Sequence, residues 1–440
     1  AEGLVALDAQ GRVIPALADR WIVTDDGRSY IFRLRDGTWR DGSELSARSA
    51  RRALEAAIRA MDNTSLGLDL AGVREVRDMA GRVVEIRLAR PIPDFLQMLA
   101  QPELGLLHRG QGAGPMAMDR DGAVAVLVPI APSDLGLPEI ADWENRTRTV
   151  RLRALDGKAA LALFNGGEAD LVLGGGIGDF PLTGSVGILR GTIQLDPVTG
   201  LFGLAVTHTD GFLSDPGQRE ALAMAIDRDG LITPFGLDGW RPTSRIVAPG
   251  LAGDGGTVGE RWSEMPLDER RAAASARVSR WREARADTGD ERAAAPVTLR
   301  IRLPSGPGGD ILFTRLSADF AAIGISSVRA RDGEAADLRL VEDVARYPRA
   351  EWFLNRFACA VNTGPCVRGA DALVREAGAA AEPAERAALL AEAEAELTRA
   401  NIYIPFGPPV RWSLVRGSVD AFATNPWGWH PLMPLALRPR

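Results

Sequence analysis

The 440-residue sequence is poor in several residue types that commonly carry recognisable chemistry. Lysine occurs once, at Lys158, and there are only three histidines and two cysteines. No apolar run reaches the roughly 18 residues of a transmembrane helix, so none is predicted. His108, His208 and His430 lie far apart without the His-x-x-x-His spacing that puts two ligands on one helix face, so no preformed metal site is expected.

Motifs of the common catalytic and cofactor-binding classes are also missing. No Gly-x-Ser-x-Gly elbow occurs, and the glycine clusters at 174–178 and 306–309 fit neither the dinucleotide nor the P-loop pattern. The second cluster leads into a helix N-terminus that could hold an anion, although an ordinary strand-to-helix turn explains it as well. The sequence therefore predicts neither an enzyme nor a cofactor.

Charge shows no concentration of one sign. The chain has 52 basic and 58 acidic residues, a net charge of -6, and its arginines are scattered. A phosphate-binding face requires clustered basic side chains, so nucleic acid is not an expected partner. With 46% hydrophobic residues, the composition is that of a folded globular protein.

The two cysteines, Cys359 and Cys366, flank a turn-forming Asn-Thr-Gly-Pro stretch that could bring their sulfurs together. Two interpretations stay open, a small-loop disulfide and a pair of buried thiols. An extracytoplasmic location would favour the disulfide, and the disulfide is the interpretation that we predict.

The order of predicted elements is typical of an α/β protein with more than one lobe. Alternating runs at 21–24 and 30–34, joined by an Asp-Gly turn, predict a β-hairpin. A strand at 297–301, an amphipathic helix and a strand at 325–328 predict a βαβ unit. Because single cores stop growing well below this chain length, two or three lobes are expected.

Three helix starts are marked by capping residues. Ser49 is predicted to cap a helix whose apolar face includes Leu54 and Ile58. Asp215-Pro216 and Glu382-Pro383 each place a prolyl residue in the first turn of a helix. These signals fix where helices should begin.

Several short motifs run along nearly the whole chain, and their order and spacing are more specific than any one of them. They are found at 2–7, 15–21, 32–37, 41–47, 112–115 (Gly-Ala-Gly-Pro), 167–170 (Gly-Glu-Ala-Asp) and 225–228 (Ala-Ile-Asp-Arg). In this order they resemble the solute-binding proteins of bacterial ABC importers of family 5, the peptide/nickel class. The last motif is the most specific of the set.

The resemblance implies a bilobal α/β fold of the periplasmic-binding-protein type II-like kind (cluster C), with a small β-rich subdomain on lobe I. Residues 1–110 would form that subdomain, 111–200 and 405–440 the core of lobe I, and 201–404 lobe II. A ligand would be enclosed between the lobes and handed to a membrane permease after docking. The lobes would close about a hinge near 201–206 and 404–408.

The chain departs from the family pattern where the cleft is expected. The stretch 107–112 is shortened, residues matching the family's first strand are absent, and the usual Gly-Trp before the cleft acid is replaced within 341–344. Peptide-binding relatives have an aspartate near this point that pairs with the α-amine of the ligand. Matching Tyr347-Pro348 to the family's Tyr-Pro puts Arg346 in its place, although Glu342 or Asp343 could still serve from nearby.

The predicted ligand-binding residues combine this segment, one histidine and the C-terminal tryptophans. They are Glu342, Asp343, Arg346, Tyr347, Trp412, Trp427, Trp429 and His208. In the family the C-terminal segment returns across the hinge, so its rings could stack on a ligand, and packing in the core of lobe I is the alternative. A loop charge at 343 or 346 could equally be solvated only.

The leading hypothesis is a monomeric, extracytoplasmic solute-binding protein that delivers a small amphipathic solute, such as a short peptide, to an ABC import permease. The first alternative is the cytoplasmic ligand-sensing domain of a transcriptional regulator, which an upstream helix-turn-helix would indicate. The second is an enzyme, for which no catalytic constellation can be assembled. The sequence shows no export signal and opens directly on a strand, which leaves open a segment upstream of it.

Overall fold

The computed structural model describes residues 1–186, 192–287 and 296–438, which fold into a mixture of helices and strands as predicted. Within these ranges no helix combines the length and the apolar character needed to cross a membrane. The elements fall into three successive stretches of the chain.

The N-terminal stretch is built on a four-stranded antiparallel sheet. The strands of this stretch, four of which form that sheet, are β1 Val5–Leu7, β2 Val13–Pro15, β3 Ala18–Val23, β4 Ser29–Leu34, β5 Val73–Met79, β6 Val83–Leu88, β7 Leu107–His108 and β8 Gln111–Gly112. Its helices are α1 Ala47–Ala60, α2 Ser65–Asp69 and α3 Phe95–Leu99. The sheet order is β3-β4-β6-β5. Alternate side chains of β4, Tyr30, Phe32 and Leu34, are buried, so one face of the sheet lies against a core.

The first predicted hairpin and helix are present, but the helix cap differs. Strand β3 pairs antiparallel with β4, with Val23 opposite Tyr30, which confirms the hairpin. Helix α1 begins at Ala47 with Ser46 as its N-cap, so the prediction of Ser49 as the cap is wrong. The two serines form a capping box, in which each side chain accepts a hydrogen bond from the other's backbone N–H, at 3.0 and 3.3 Å. With candidate serines three residues apart, the upstream one is the cap.

The middle stretch forms two small sheets. Its strands are β9 Met116–Asp121, β10 Val124–Pro129, β11 Val150–Arg153, β12 Leu171–Gly175 and β13 Ile193–Leu195, and its helices are α4 Trp143–Arg146 and α5 Gly157–Gly166. The first sheet has the order β11-β10-β9. In the second, β12 and β13 pair with opposite edges of a C-terminal strand, Trp412–Val415. The end of the chain is therefore part of the middle stretch's structure.

The C-terminal stretch is built on a five-stranded sheet with helices on both faces. Its strands are β14 Gly200–Val206, β15 Thr298–Arg302, β16 Ser326–Arg329, β17 Leu338–Val344, β18 Tyr403–Gly407 and β19 Trp412–Val415. Its helices are α6 Pro216–Ala225, α7 Arg228–Ile232, α8 Leu267–Asp287, α9 Pro307–Ala321, α10 Ala350–Asn355, α11 Arg368–Ala379, α12 Pro383–Ala400 and α13 Leu432–Leu435. The order of the five-stranded sheet is β16-β15-β17-β14-β18.

Local predictions in this stretch are confirmed. Strands β15 and β16 are parallel and joined through α9, which is the predicted βαβ unit. Helices α6 and α12 begin at the predicted prolines, after the cap residues Asp215 and Glu382. At the start of α9 the backbone N–H of Gly308 donates to the carbonyl oxygen of Gly178 at 2.7 Å, which supports the ordinary turn over the anion site.

Strand β14 separates two hydrophobic cores. Leu201 and Ala205 belong to the first core, together with side chains of the N-terminal sheet and of α10, α11 and α12. Phe202, Leu204 and Val206 belong to the second core, with α6, α7, α8 and α9. Because successive strand residues point to opposite faces, this one strand contributes to both cores. The first core thus joins the N-terminal stretch to one face of the C-terminal sheet.

Candidate ligand cleft

A cavity of about 440 Å³ lies where the N-terminal stretch faces the C-terminal half of the chain. Its lining comes from segments that are distant in sequence. They are residues 61–66 around the start of α2, 101–103 after α3, 343–356 at the end of β17 and in α10, 427–429 in the C-terminal loop, and the single residues Leu7 and Arg411. The tertiary fold therefore assembles this cavity from six separate parts of the chain.

Two arginine–carboxylate pairs stand at the surface of the cavity. Arg346 pairs with Glu103, which links the loop after β17 to the residues after α3. Arg356 pairs with Asp343, and its Nη1 lies 3.4 Å from the hydroxyl of Ser65 on α2. The side chains of Arg346 and Asp343 are 46% and 38% exposed. Both predicted residues are thus at one cavity, but each already has a partner of opposite charge.

A third pair, Arg411 with Glu342, has only its arginine in the cavity lining. Oε1 of Glu342 accepts from Nη1 of Arg411 at 2.9 Å and from the backbone N–H of Ile177 at 3.0 Å. Burial raises the pKa of Glu342, and the nearby Arg411 opposes that rise. The carboxylate of Glu342 holds Arg411 and is not part of the cavity lining, so direct contact of Glu342 with a ligand stays a prediction.

The opposite directions of Glu342 and Asp343 follow from strand geometry. Both lie in β17, where successive side chains point to opposite faces. Glu342 is opposite Phe202, whose side chain is in the second core, whereas Asp343 is opposite Leu201, whose side chain is in the first core. Only one of the two acids can therefore face the cavity.

Tyr347 lines the cavity, but its hydroxyl is committed elsewhere. It donates to Oδ2 of the buried Asp69 in α2, and Nδ2 of Asn355 donates to Oδ1 of the same carboxylate at 2.9 Å. Burial raises the pKa of Asp69 to about 6, against the lowering effect of these hydrogen bonds. Tyr347 therefore joins the two sides of the cavity and offers a solute its ring, while the hydroxyl serves Asp69.

The three predicted tryptophans divide into two groups. Trp427 and Trp429 line the cavity, and Trp429 is 43% exposed. Trp412 is 1% exposed in the second core, and its Nε1–H donates to the carbonyl oxygen of Gly176 at 2.8 Å. The pairing of β19 turns this ring into the second core, and its role as a ligand residue stays a prediction. Trp352 of the first core also reaches the cavity.

His208 is not part of the lining of this cavity, and its role as a ligand residue stays a prediction. It lies at a separate depression at the end of β14, with Nε2 2.8 Å from Oδ1 of Asp337 and Nδ1 3.6 Å from Asp210. The imidazole lies two residues beyond the end of that strand, between the carboxylates of Asp210 and Asp337. Among the residues that the structure describes, no group of three His, Cys, Asp or Glu side chains is placed to hold a metal ion.

Sequence reasoning missed six charged or polar residues of the cavity lining: Thr64, Ser65, Gln101, Glu103, Arg356 and Arg411. None of them lies in a motif or follows a periodicity that distinguishes it from other polar residues. Arg356 follows the predicted Tyr347 by nine residues, and Arg411 directly precedes the predicted Trp412. Proximity to those predicted residues is the only signal that could have drawn attention to them.

Cys359 and Cys366 form a disulfide, with their Cα atoms 5.1 Å apart. The bridge closes the loop between α10 and α11, directly after the segment that carries Arg356. Of the two interpretations left open by the sequence, the structure has the covalent one.

Comparisons with protein families and with known proteins find similarity to solute-binding proteins. Residues 12–125 match the family described as bacterial extracellular solute-binding proteins, family 5 Middle. The chain is 25% identical over 477 aligned residues to di/tripeptide-binding protein 2 of Pseudomonas aeruginosa, covering 94% of this chain and 84% of that protein. It is 34% identical over 122 residues to the probable deoxycholate-binding periplasmic protein YgiS of Escherichia coli. That match spans 23% of each chain, so the chain covers less than a quarter of this relative's length.

Solved structures match over nearly the whole chain. The Haemophilus influenzae OppA complex with the peptide RPPGFSPFR has a TM-score of 0.81 at 17% identity, covering 99% of this chain and 92% of that chain. The Escherichia coli murein tripeptide-binding protein MppA has a TM-score of 0.81 at 18% identity, covering 99% and 92%. These matches confirm the predicted α/β fold of the bilobal, type II-like kind.

Proposed function

We propose that the chain is a member of family 5 of the bacterial extracellular solute-binding proteins, whose model its residues 12–125 match. In this proposal it captures a small, peptide-like solute in the cavity and delivers it to an ABC import permease. The observation that carries the proposal is the cavity itself. The cavity is lined by α2 and the residues after α3 on one side and by residues 343–356 on the other. A site of this size between two parts of a protein is typical of small-molecule binding.

The division into lobes is part of the proposal, with residues 1–110 as the β-rich subdomain, 111–200 and 405–440 as the core of lobe I, and 201–404 as lobe II. This division is supported by the two places where the chain crosses from one stretch to the other. Strands β14 and β18, next to each other in the five-stranded sheet, are the two places where the chain passes between the middle and C-terminal stretches. A hinge at these strands would move the cavity walls relative to each other.

Direct hydrogen bonds across the cavity support a closed arrangement of the lobes. Side-chain amides of Gln97 and Gln101 lie 3.4 and 3.3 Å from the carbonyl oxygen of Arg346, and Nη1 of Arg349 donates to the carbonyl oxygen of Pro93 at 3.1 Å. Each of these bonds joins residues near α3 to the loop before α10. Opening the cleft would break them, so a bound solute and these contacts would close the lobes together.

The ligands of two relatives suggest what kind of solute to test. One is a di/tripeptide-binding protein and the other a probable deoxycholate-binding protein, and both ligands are small and amphipathic. The cavity has charged pairs beside Trp352, Trp427 and Trp429, which suits a solute with polar ends and an apolar body.

The proposed activity is binding without chemistry, by a monomer in the periplasm. Relatives of the chain are binding proteins, and one of them is periplasmic by name. The two carboxylates that line the cavity, Glu103 and Asp343, are each held by an arginine, which does not favour a role as general base. The alternative of a cytoplasmic sensor domain of a transcriptional regulator is not favoured by these relatives.

The test is titration calorimetry of the purified chain with a panel of di- to pentapeptides and deoxycholate. At least one of them should bind, and Trp429→Ala should weaken that binding because it removes an exposed ring from the cavity wall. His208→Ala is the matched control and should bind like wild type, since His208 lies at a different depression. Equal loss in both variants, or no binding by any of the panel, would contradict the proposal.

A further inference from the structure

The charges at the cavity do not suit a cationic anchor. The lining contains the three arginines 346, 356 and 411 and only two carboxylates, Glu103 and Asp343. Both carboxylates are already paired with an arginine of the lining. Glu342, just outside the lining, is paired with the third arginine. An ammonium group would have to displace a guanidinium to gain a carboxylate partner here.

The guanidinium groups, in contrast, keep donors for a ligand. Each guanidinium has five N–H donors in a planar fork that suits a carboxylate. The hydrogen bond of the Arg346 side chain uses Nη1, toward Glu103, and the bonds of Arg356 use its two terminal nitrogens, toward Ser65 and Asp343. Arg346 is also the most exposed of the three arginines, at 46%. It can take an anion without giving up its present partner.

Arg346 and Arg356 lie on the same wall of the cavity. Both belong to the segment 343–356, so this one segment brings two positive charges to the cavity lining. In an enclosed site, a nearby guanidinium attracts an anion and repels an ammonium more strongly than it would in water. The rest of the wall is aromatic, with Trp427 and Trp429 from the C-terminal loop.

We infer that the solute is anchored by an anionic group, a carboxylate, which is held by Arg346 and Arg356 while its apolar body lies against Trp427 and Trp429. This inference rests on the proposed function and specifies the chemistry of the solute. A free amine is not part of what the site recognises. Arg346 is then the residue that determines specificity.

The experiment compares three peptides by titration calorimetry: Ala-Phe, N-acetyl-Ala-Phe, which has no amine, and Ala-Phe amide, which has no carboxylate. The matched pair 3-phenylpropanoate and 3-phenylpropylamine asks the same question without a peptide bond. The two acids with intact carboxylates, Ala-Phe and N-acetyl-Ala-Phe, should bind similarly. The amide should bind at least about tenfold more weakly, since it loses a charge-assisted hydrogen bond.

Variants assign the effect to Arg346. Arg346→Gln should reduce the difference between acid and amide, and Arg346→Asp should reverse it. Glu103→Gln, which frees Arg346 of its partner, should bind the acids at least as tightly as wild type. Arg399→Gln is the matched control, because Arg399 is an exposed arginine on α12 that pairs with Glu396 away from the cavity. Circular dichroism spectra of all variants report whether they are folded.

The outcomes separate the two proposals. If acetylation abolishes binding while the amide binds as well as the acid, the solute is anchored by its amine, so the inference is wrong and the proposed function stands. If only 3-phenylpropanoate binds, the anionic anchor is supported and the peptide-like class of the proposed function is wrong. If no probe of either charge binds, the capture of such solutes and the anchor are both overturned.

Discussion

Arginines meet carboxylates in two different settings in this chain, a buried cluster around Arg245 and the wall of the cleft. Arg245 has a side chain that is 5% exposed, and it pairs with both Asp254 and Glu394, which are 5% and 2% exposed. In the cleft each arginine pairs with a single carboxylate, and the side chains of Arg346 and Glu103 are 46% and 34% exposed. The same two residue types thus differ in the number of partners and in access to solvent.

The buried cluster is satisfied from within the protein. Arg245 donates to Glu394 at 2.9 and 3.4 Å and to Asp254 at 2.9 and 3.3 Å. Glu394 also accepts from the backbone N–H groups of Ile246 and Val247. Burial by itself would raise the pKa of Asp254, but its hydrogen bonds with Arg245 and the loop outweigh burial and lower it. A buried charge is tolerated only with such partners.

The comparison shows that the role of an arginine–carboxylate pair depends on the guanidinium N–H donors that the pair leaves unused. A pair without spare donors stabilises the fold, whereas a pair with spare donors can bind a solute. Where several bonds hold a guanidinium out of contact with water, its loss leaves buried carboxylates without a partner. Where one bond holds it at an open wall, other donors remain for a solute. Substitutions in the first setting should change stability, and substitutions in the second should change binding.

The largest effect is expected from Arg245→Met, which leaves Asp254 and Glu394 buried without their cation. The free energy of unfolding should fall by roughly 3 to 5 kcal/mol, as for other broken buried ion pairs. Chemical denaturation followed by circular dichroism measures it. Arg399→Met, at an exposed pair with Glu396, is the control and should cost less than about 1 kcal/mol. Similar losses in the two variants would contradict the distinction between buried and exposed pairs.

A second prediction concerns Asp69, a buried carboxylate that hydrogen-bonds to the neutral Tyr347 and Asn355 and has Arg349 and Glu351 nearby. Its pKa is raised from the ordinary 3.8 to about 6, so the folded state holds the proton more tightly than the unfolded state. The stabilising contribution of protonated Asp69 is therefore fully present below about pH 3.8, and it is lost as the pH rises to about 6 and above. The contribution is on the order of 2 kcal/mol.

The measurement is the free energy of unfolding between about pH 4 and about pH 7 for wild type and Asp69→Asn. The variant should lose the part of the pH dependence that Asp69 contributes. Its neutral amide keeps a similar shape, so the variant is expected to fold. An unchanged pH dependence would show that Asp69 does not titrate in this range.

The disulfide provides a covalent reference for these values. Replacing both Cys359 and Cys366 by serine should lower the free energy of unfolding by about 2 kcal/mol, because the unfolded chain gains the freedom of a short loop. The loss should be smaller than that of Arg245→Met and should appear equally in wild-type protein treated with a reducing agent. A larger loss than that from the buried cluster would reverse the expected order.

The smallest effect on stability is expected in the cleft. Glu103→Gln removes the partner of Arg346 from a pair that is about half exposed, and exposed pairs contribute less than about 1 kcal/mol. The free energy of unfolding without solute should change by no more than that, even though binding is affected. A loss of several kcal/mol, as in the buried cluster, would show that the cleft pair is structural.

The fold could be predicted in large part because its signals are local. The hairpin of β3 and β4 follows from alternating residues and an Asp-Gly turn, and α6 and α12 begin at the predicted prolines. The error at α1 arose between Ser46 and Ser49, where both serines take part in one capping box. Such errors move a boundary by a few residues and leave the order of elements unchanged.

The site could be predicted only in outline. The segment around Asp343 and Arg346 was found through its resemblance to a family, but the partner of each residue comes from elsewhere in the chain. The aromatic ring of Trp412 and its position near the C-terminus suggested a place in the cleft. The pairing of its strand turns the ring into the second core instead. Residue type alone does not tell which face of a strand a side chain occupies.

By itself, the sequence determined the class of fold, the order of elements and the segment around Asp343 and Arg346 as part of the cleft, because propensities, turns and motifs act over a few residues. Only the tertiary structure decided that Asp343 faces the cavity and Glu342 does not, since that choice depends on the register of β17 against β14. It also decided which carboxylate each arginine meets. Contacts such as Arg346 with Glu103 join residues 243 positions apart, and no local pattern records them.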